Sequence, residues 1–358
     1  MDIPLATPAP EHPALSPRPP GTMPSISVVA PAYNEEEVLE IFHRRVTDVL
    51  AGLGCQYEIV LVNDGSRDRT LALMHALRER DPHLTVIDLS RNFGKEIALS
   101  AGLDHTKGDV VIVLDSDLQD PPELIPQLLD AWREGYDVVY GMRAERDGET
   151  WFKKFTAHHF YSVIKKVSRV EIPRDTGDFR LMSRRAVEAL GKLREEHRFM
   201  KGLFAWVGFP SRPLLYRRDP RAAGNTKWNY WKLWNFAIEG ITSFTVAPLK
   251  ASTYLGLVVA VLSLMYAVFV IWKALMYSDP VRGYPSLMTV ILFLGGVQLI
   301  SVGLLGEYVG RIYNEVKRRP LYLVNRLLDS ELPGEFSNRR ERRQQARPGS
   351  SPLQRVSH

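Results

Sequence analysis

The chain has 358 residues, of which 45% are hydrophobic and 24% charged, with a formal net charge of +5. That length allows a full domain core and a further segment. The basic balance calls for an anionic partner. No zinc-ligand spacing and no RNA-binding aromatic signature is present, so nucleic acid is set aside in favour of anionic lipid. A single cysteine, Cys55, excludes an intramolecular disulfide and fits a reducing compartment.

Residues 1–24 are proline-rich without an apolar run and read as a disordered tail, neither signal peptide nor folded element. A first strand is predicted at Ser25–Ala30, broken by Pro31-Ala32-Tyr33-Asn34, with Glu35-Glu36-Glu37 opening a helix through acidic residues in its first turn. Tyr57–Val62 is a second strand ending in Asn63-Asp64-Gly65-Ser66, with a helix from about Asp68. Leu84–Leu89 is a third, followed by Ser90–Lys95 and another helix. Alternation of strand and helix at this spacing means right-handed βαβ units and a parallel sheet. No G-x-G-x-x-G follows any strand, which argues against a dinucleotide cofactor.

The fourth strand, Asp109–Leu114, is a near-continuous run of β-branched residues ending in Asp115-Ser116-Asp117-Leu118-Gln119-Asp120-Pro121-Pro122. Strand alternation puts Asp115 and Asp117 on one side. Two hard oxygen ligands suit Mg2+ or Mn2+, which also takes substrate phosphate oxygens. The plainer alternative is a polar turn before a helix start. Asp64 ends a neighbouring strand, where an acidic residue is placed to bond a nucleotide's base or ribose; a tight Asn-Asp-Gly turn is the alternative.

Trp151–Val167 reads as an amphipathic helix with Lys153, Lys154, Lys165 and Lys166 on its polar face. Thr176–Met182 reads as a short strand. Arg198–Trp206 mixes cations with large apolar groups, as a site for a lipid-borne phosphate needs. Arg217–Lys227 is a polar loop. Trp228, Tyr230, Trp231 and Trp234 follow beside Lys232, the composition of a bilayer headgroup level.

Ser252–Trp272 and Ser286–Gly306 hold no charged residue. Each has about 20 residues, enough to cross a hydrocarbon core, and they are predicted to be two transmembrane helices. Lys250 and Arg311, Lys317, Arg318 and Arg319 flank the outer ends, against Lys273 and Arg282 at the connecting loop. The asymmetry places the catalytic domain and both termini in the cytoplasm, at the inner (plasma) membrane. The expected layout is a tail over 1–24, a catalytic domain over 25–227, an interfacial segment over 228–250, and a helix hairpin over 251–312. A basic segment over 313–330 and a disordered basic tail over 331–358 complete it.

Taken together, this constellation resembles the family-2 glycosyltransferases of GT-A fold. Among them it is most similar to polyisoprenyl-phosphate glycosyltransferases of the bactoprenol glucosyltransferase branch. The resemblance rests on Pro31–Glu36, Val62–Ser66, Ser90–Glu96, Asp115–Glu123, Thr176–Met182, Arg198–Gly208, Thr226–Trp234 and Gly306–Arg311. It implies an α/β domain with a mostly parallel sheet, interfacial amphipathic helices and a C-terminal two-helix transmembrane hairpin. Pro31, Ala32, Tyr33, Glu35, Asp64, Ser66, Lys95, Asp115 and Ser116 would bind the nucleotide sugar, with Asp64 on the uracil. Asp117 would hold the metal, Gln119 would reach the sugar, and Asp178 would sit at the reaction centre. Arg180, Arg198, Lys201 and Lys227 would gather phosphates of donor and acceptor.

The implied reaction is inverting transfer of a sugar, glucose first among the candidates, from a UDP-sugar to polyprenyl (undecaprenyl) phosphate. The implied partners are both substrates and the bilayer; a homo-oligomer stays open. The alternatives are a relative using GDP-mannose or a UDP-N-acetylhexosamine, or a non-catalytic scaffold or flippase component.

Overall fold

The structure, a computed structural model, describes residues 15–19, 23–143, 176–196, 198–216, 247–276 and 283–332. The expected helix at Trp151–Val167, the 217–227 loop with Lys227, and the tryptophans at 228, 231 and 234 lie outside them. So do the loop residues Asp279 and Arg282 and most of the basic tail.

Among the described residues eight strands form one sheet, in the order β7 (Ser211–Tyr216), β5 (Val138–Arg143), β6 (Thr176–Ser183), β4 (Val110–Val113), β1 (Ile26–Ala32), β2 (Tyr57–Asn63), β3 (Leu84–Leu89), β8 (Val324–Leu328). Its centre is parallel: β1 (Ile26–Ala32) lies between β2 (Tyr57–Asn63) and β4 (Val110–Val113), and β3 (Leu84–Leu89) flanks β2. Every residue of these four strands is buried, so their unbroken apolar character follows from cover on both faces. Alternation sorts them. Val28, Ile59, Val86 and Ile112 pack with α1 (Leu39–Gly52), α2 (Thr70–Arg80) and α4 (Ile125–Arg133). Val29, Val60, Ile87 and Val111 pack with α3 (Lys95–His105), α5 (Arg184–Leu190) and α6 (Met200–Trp206). Each such Val or Ile contributes about 1.5–3 kcal/mol on burial. Helix α3 reaches the sheet closely at Gly102, where a Cβ would lie 2.4 Å from Val29 Cγ1.

Beyond β4 the sheet is mixed. β6 (Thr176–Ser183) runs antiparallel to both β4 and β5 (Val138–Arg143), and β7 (Ser211–Tyr216) pairs parallel with β5. Strand order reverses between β1 and β4, the place where open α/β sheets bind ligands at the carboxyl edge.

Four local expectations change. β1 continues through Pro31 and Ala32, which pair in register with Val62 and Asn63; a proline is tolerated at a strand's end. Helix α1 starts at Leu39 rather than Glu35, because 35–38 form a turn stitched to the next loop: Glu35 N–H donates to Thr70 Oγ1 and Glu36 N–H to Asp68. β4 stops at Val113, so Asp115 and Asp117 sit in the turn beyond it and strand alternation does not set their direction. Residues 15–19, assigned by composition to a disordered tail, lie against the domain. Arg18 stacks 4.1 Å over the Trp132 ring and pairs with Asp137 at 3.2 Å.

Two long helices follow, α7 (Ala247–Met276) and α8 (Tyr284–Lys317), in contact through Ser252 Oγ and Ser301 Oγ at 3.0 Å. Large apolar residues such as Leu257, Leu264, Phe293 and Leu299 face outward. Among the described residues, Phe293–Lys317 is long and apolar enough to cross a membrane. Helix α8 does not end with the apolar run at Gly306. It continues through the Glu307–Arg311 ion pair and stops where Arg318 adopts a left-handed conformation. The chain then returns to the domain, and β8 (Val324–Leu328) adds to the edge of β3 in antiparallel register.

Candidate active site

The carboxyl edge of the parallel strands gathers most of the expected residues. Asn63 to Ser66 follow β2. Gly65 adopts φ +65°, and a Cβ there would lie 2.5 Å from Asn92 N, so only glycine fits this crossing of two loops. Asp64 is buried with both carboxylate oxygens engaged: Phe93 N–H donates to Oδ1 at 2.7 Å and Gly94 N–H to Oδ2 at 3.0 Å. Burial raises its pKa, against those two bonds. Asn92 Nδ2 also donates to the Asp64 carbonyl. Both readings of Asp64 therefore keep their place, since a clamped carboxylate retains lone pairs for a ligand.

Ser66 Oγ accepts the Asn34 N–H at 3.1 Å, joining the β1 and β2 loops. Tyr33 is exposed beside them. Ser116 is buried and its hydroxyl donates to the Pro31 carbonyl at 3.1 Å, tying the turn after β4 to the end of β1. The Ser116 side chain thus acts on the backbone of the pocket.

Lys95, at the start of α3, occupies the centre. Its ammonium lies 2.7 Å from Asp115 Oδ1 and 2.6 Å from Asp178 Oδ2. Burial opposes the charge on Lys95, but the two carboxylates outweigh it and raise its pKa. Burial likewise opposes ionisation of Asp178, yet Lys95 prevails and the carboxyl is held down to about 2. Asp178 Oδ1 is buried and has no hydrogen-bond partner among the described residues. Asp117 and Gln119 are partly exposed at the same turn, where Gln119 N–H donates to Asp117 Oδ1 at 3.2 Å.

The cations expected on phosphate divide. Arg180 is buried and turned onto its own strand: Nε donates to the Asp178 carbonyl at 3.1 Å and Nη2 to that of Gly177 at 2.8 Å. Its guanidinium lies 3.5 Å over the Phe204 ring, and burial pushes its pKa down to about 10. It shapes the backbone that carries Asp178. Arg198 is buried, with Nη1 on the Leu193 carbonyl at 2.6 Å and Nε without a hydrogen-bond partner among the described residues. Burial also lowers the pKa of Lys201, in part offset by Asp178 and Glu96.

Glu96 was not singled out by sequence. It sits in the first turn of α3 among Asp178, Lys95 and Lys201, and burial pushes it up to about 7. Its signal was adjacency to Lys95 within the Phe-Gly-Lys-Glu stretch.

An α/β/α domain with carboxylates and cations gathered at the strand-order reversal, carrying an apolar helix hairpin, defines a membrane-associated glycosyltransferase. The chain belongs to glycosyl transferase family 2: that family's model matches residues 27–191, and a GtrB C-terminal hairpin matches residues 247–312. It is 56% identical to an uncharacterised glycosyltransferase of Synechocystis sp., over 87% of this chain and 99% of that one. A prophage-derived bactoprenol glucosyl transferase of Shigella flexneri is 49% identical, covering 84% of this chain and 97% of the relative. A prophage bactoprenol glucosyl transferase homolog of Escherichia coli is 47% identical, over 84% and 99% of the two chains.

Proposed function

We propose that the protein transfers glucose from UDP-glucose to the phosphate of a polyprenyl lipid at the cytoplasmic face of the membrane, with inversion at the anomeric carbon. The observation that carries this reading is one edge of one domain. Carboxylates gather at the strand-order reversal, the edge at which open α/β sheets take ligands, and the half-buried Lys201 on α6 and the buried Arg198 on its approach lie beside them. The near full-length likeness to bactoprenol glucosyl transferases supports the lipid phosphate and the glucose.

In this reading the β1 and β2 loops, with Tyr33, Asp64 and Ser66, take the uridine. Asp117 is the residue that would hold Mg2+ or Mn2+, shared with the donor diphosphate. Among the described residues no three His, Cys, Asp or Glu side chains gather to hold a metal unaided, and Mg2+ is commonly bound by one or two carboxylates plus phosphate oxygens. Asp115 fits such a role less well, since Lys95 contacts both its oxygens. A bound divalent cation would offset charge on the departing diphosphate.

Arg198 and Lys201 draw in the acceptor phosphate, and Lys227, outside the described residues, is assigned the same role from the sequence. A phosphate monoester has a second pKa of about 6 and arrives largely dianionic. Its oxygen attacks the anomeric carbon, the bond from that carbon to the β-phosphate oxygen breaks, and UDP leaves with the electron pair. No proton must be removed. Asp178, held ionised by Lys95, lies ready to orient the sugar and offset positive charge at the anomeric carbon. Helices α7 and α8 both cross the bilayer, with the domain and both termini cytoplasmic.

Purified protein given a panel of radiolabelled nucleotide sugars with undecaprenyl phosphate tests the reading. Label from UDP-glucose should enter the lipid extract. Label from GDP-mannose or UDP-N-acetylglucosamine alone would overturn the glucose assignment, and no lipid label from any donor would favour a non-catalytic scaffold.

A further inference from the structure

The strand that returns from the membrane hairpin carries an irregularity at one residue. In the β3–β8 ladder Asp88 pairs with Arg326 and Leu89 with Val324, so Asn325 is an extra residue on β8. Such bulges re-aim a side chain. Here the Asn325 amide donates to Asp88 Oδ2 at 2.7 Å. The other oxygen of the buried Asp88 accepts from Asn63 Nδ2, also at 2.7 Å. Asn63 in turn uses its Oδ1 to accept the Ser66 N–H at 3.1 Å, and Ser66 Oγ accepts the Asn34 N–H. The Ser90 N–H donates to the Leu323 carbonyl at 2.9 Å, pinning the bulged strand just before Asn325.

We infer that Asp88 and Asn325 are positioning residues for the donor: a polar relay from β8 through Asp88 and Asn63 sets the conformation of the 63–66 loop. This rests on the reading of that loop as part of the uridine pocket. Both side-chain groups of Asn63 are fixed by the relay, one on Asp88 and one on the loop's own backbone. Loss of the outer bond leaves a buried carboxylate oxygen short of a donor, and its accommodation must fall on Asn63. β8 begins at Val324, and α8 ends at Lys317. The donor pocket is therefore braced by the segment that emerges from the hairpin, and donor affinity depends on residues following the membrane anchor.

The test exchanges the partners. Asn325→Asp in the full-length protein sets two carboxylates against each other and should weaken UDP binding by titration calorimetry about tenfold, or about 1.4 kcal/mol. KM for the donor should rise in parallel, with kcat little changed. Adding Asp88→Asn lets the amide at 88 donate to the carboxylate at 325 while its oxygen accepts from Asn63 Nδ2, and should restore UDP affinity. Asn325→Ala should give a smaller loss.

Wild-type-like UDP binding by Asn325→Asp, or no recovery in the double variant, would overturn the relay. A joint fall of affinity and thermal midpoint in all three variants would reduce it to a structural contact and also overturn it. Failure of the wild-type chain to bind UDP would instead overturn the pocket on which the relay rests.

Discussion

Lys95 Nζ lies 2.6 Å from Asp178 Oδ2, and the same ammonium bridges to Asp115, so one lysine on α3 joins the turn after β4 to strand β6. The pair decides what Asp178 can do. A carboxyl held down to about 2 has no affinity for a proton at neutral pH and is unsuited to act as a base. Asp178→Asn should keep donor affinity and fold while transfer falls roughly 10²-fold or more. A rate that recovers as pH rises to about 9 would make Asp178 a base after all. Because its folded pKa is depressed, the pair stabilises the protein above the ordinary carboxylate range and loses that contribution as pH falls toward about 2. Lys95→Met should abolish this acid-side gain and the activity together, read by unfolding at pH 3 and pH 7.

Asp117 lies in the turn, partly exposed, with one oxygen on the Gln119 N–H. Asp117→Asn should cost activity heavily with an unchanged thermal midpoint, and the wild-type enzyme should stop in excess EDTA and resume on adding Mg2+ or Mn2+. Full turnover in EDTA would remove the metal from the account.

Lys107 is almost wholly buried, with its ammonium 2.5 Å from Asp329 Oδ1, 3.1 Å from Ser330 Oγ and 3.9 Å from Glu58 Oε2. Asp329 follows the hairpin in sequence, yet neutralises a charge inside the catalytic domain. Removing one partner of a buried pair leaves the other badly solvated. Asp329→Ala should destabilise the domain by about 1–3 kcal/mol, discounted because Asp329 itself is partly exposed. Asp130→Ala, at an exposed helix pair, is the control and should change nothing measurable. Equal midpoints for the two variants in detergent would deny that the Lys107–Asp329 pair stabilises the domain.

The central strands and the apolar helices were legible because hydrophobic run length and periodicity are local signals. That the aspartates after β4 and Asp64 after β2 share one edge was legible because parallel strands end together. What the sequence hides is pairing at long range. Val324–Leu328 carries no strong alternation and becomes a strand through β3. Lys95 meets carboxylates 20 and 83 positions away. Arg180 looked like a phosphate ligand, but a buried guanidinium seeks carbonyls, and those of Gly177 and Asp178 are nearest. The α1 boundary shifted because Asp68 and Thr70 satisfy the N–H groups of Glu36 and Glu35 across the loops.

The proposed topology rests on the asymmetry of Lys and Arg around α7 and α8. A reporter fused after His358 should behave as cytoplasmic, and one inserted near Asp279 as external. Alkaline phosphatase activity from the C-terminal fusion would overturn the orientation.

Glu96 gives a pH dependence of the opposite sign to that of Asp178. It shares its surroundings with Asp178, Lys95 and Lys201, and it also acts on Arg180 and Arg198. Burial pushes it up to about 7, with Asp178 adding to the rise and the two lysines opposing it. A carboxyl whose folded pKa is raised holds its proton in the native state where the unfolded chain has released it. The native state therefore binds more protons between the ordinary glutamate range and about pH 7, and stability falls as pH rises through that window. Glu96→Gln removes the titration. The variant should match wild type near pH 4.5 and exceed it at pH 8 by on the order of 1–3 kcal/mol, since each pKa unit is worth about 1.4 kcal/mol. The difference between the two denaturation curves, taken pH by pH, cancels every other titrating group not coupled to Glu96. A difference that stays flat from pH 4.5 to 8 would mean that Glu96 is ionised throughout and serves as a fixed counter-charge to Lys201. A variant less stable than wild type at pH 8 would mean that the cations of α3, β6 and α6 need that negative charge more than its burial costs.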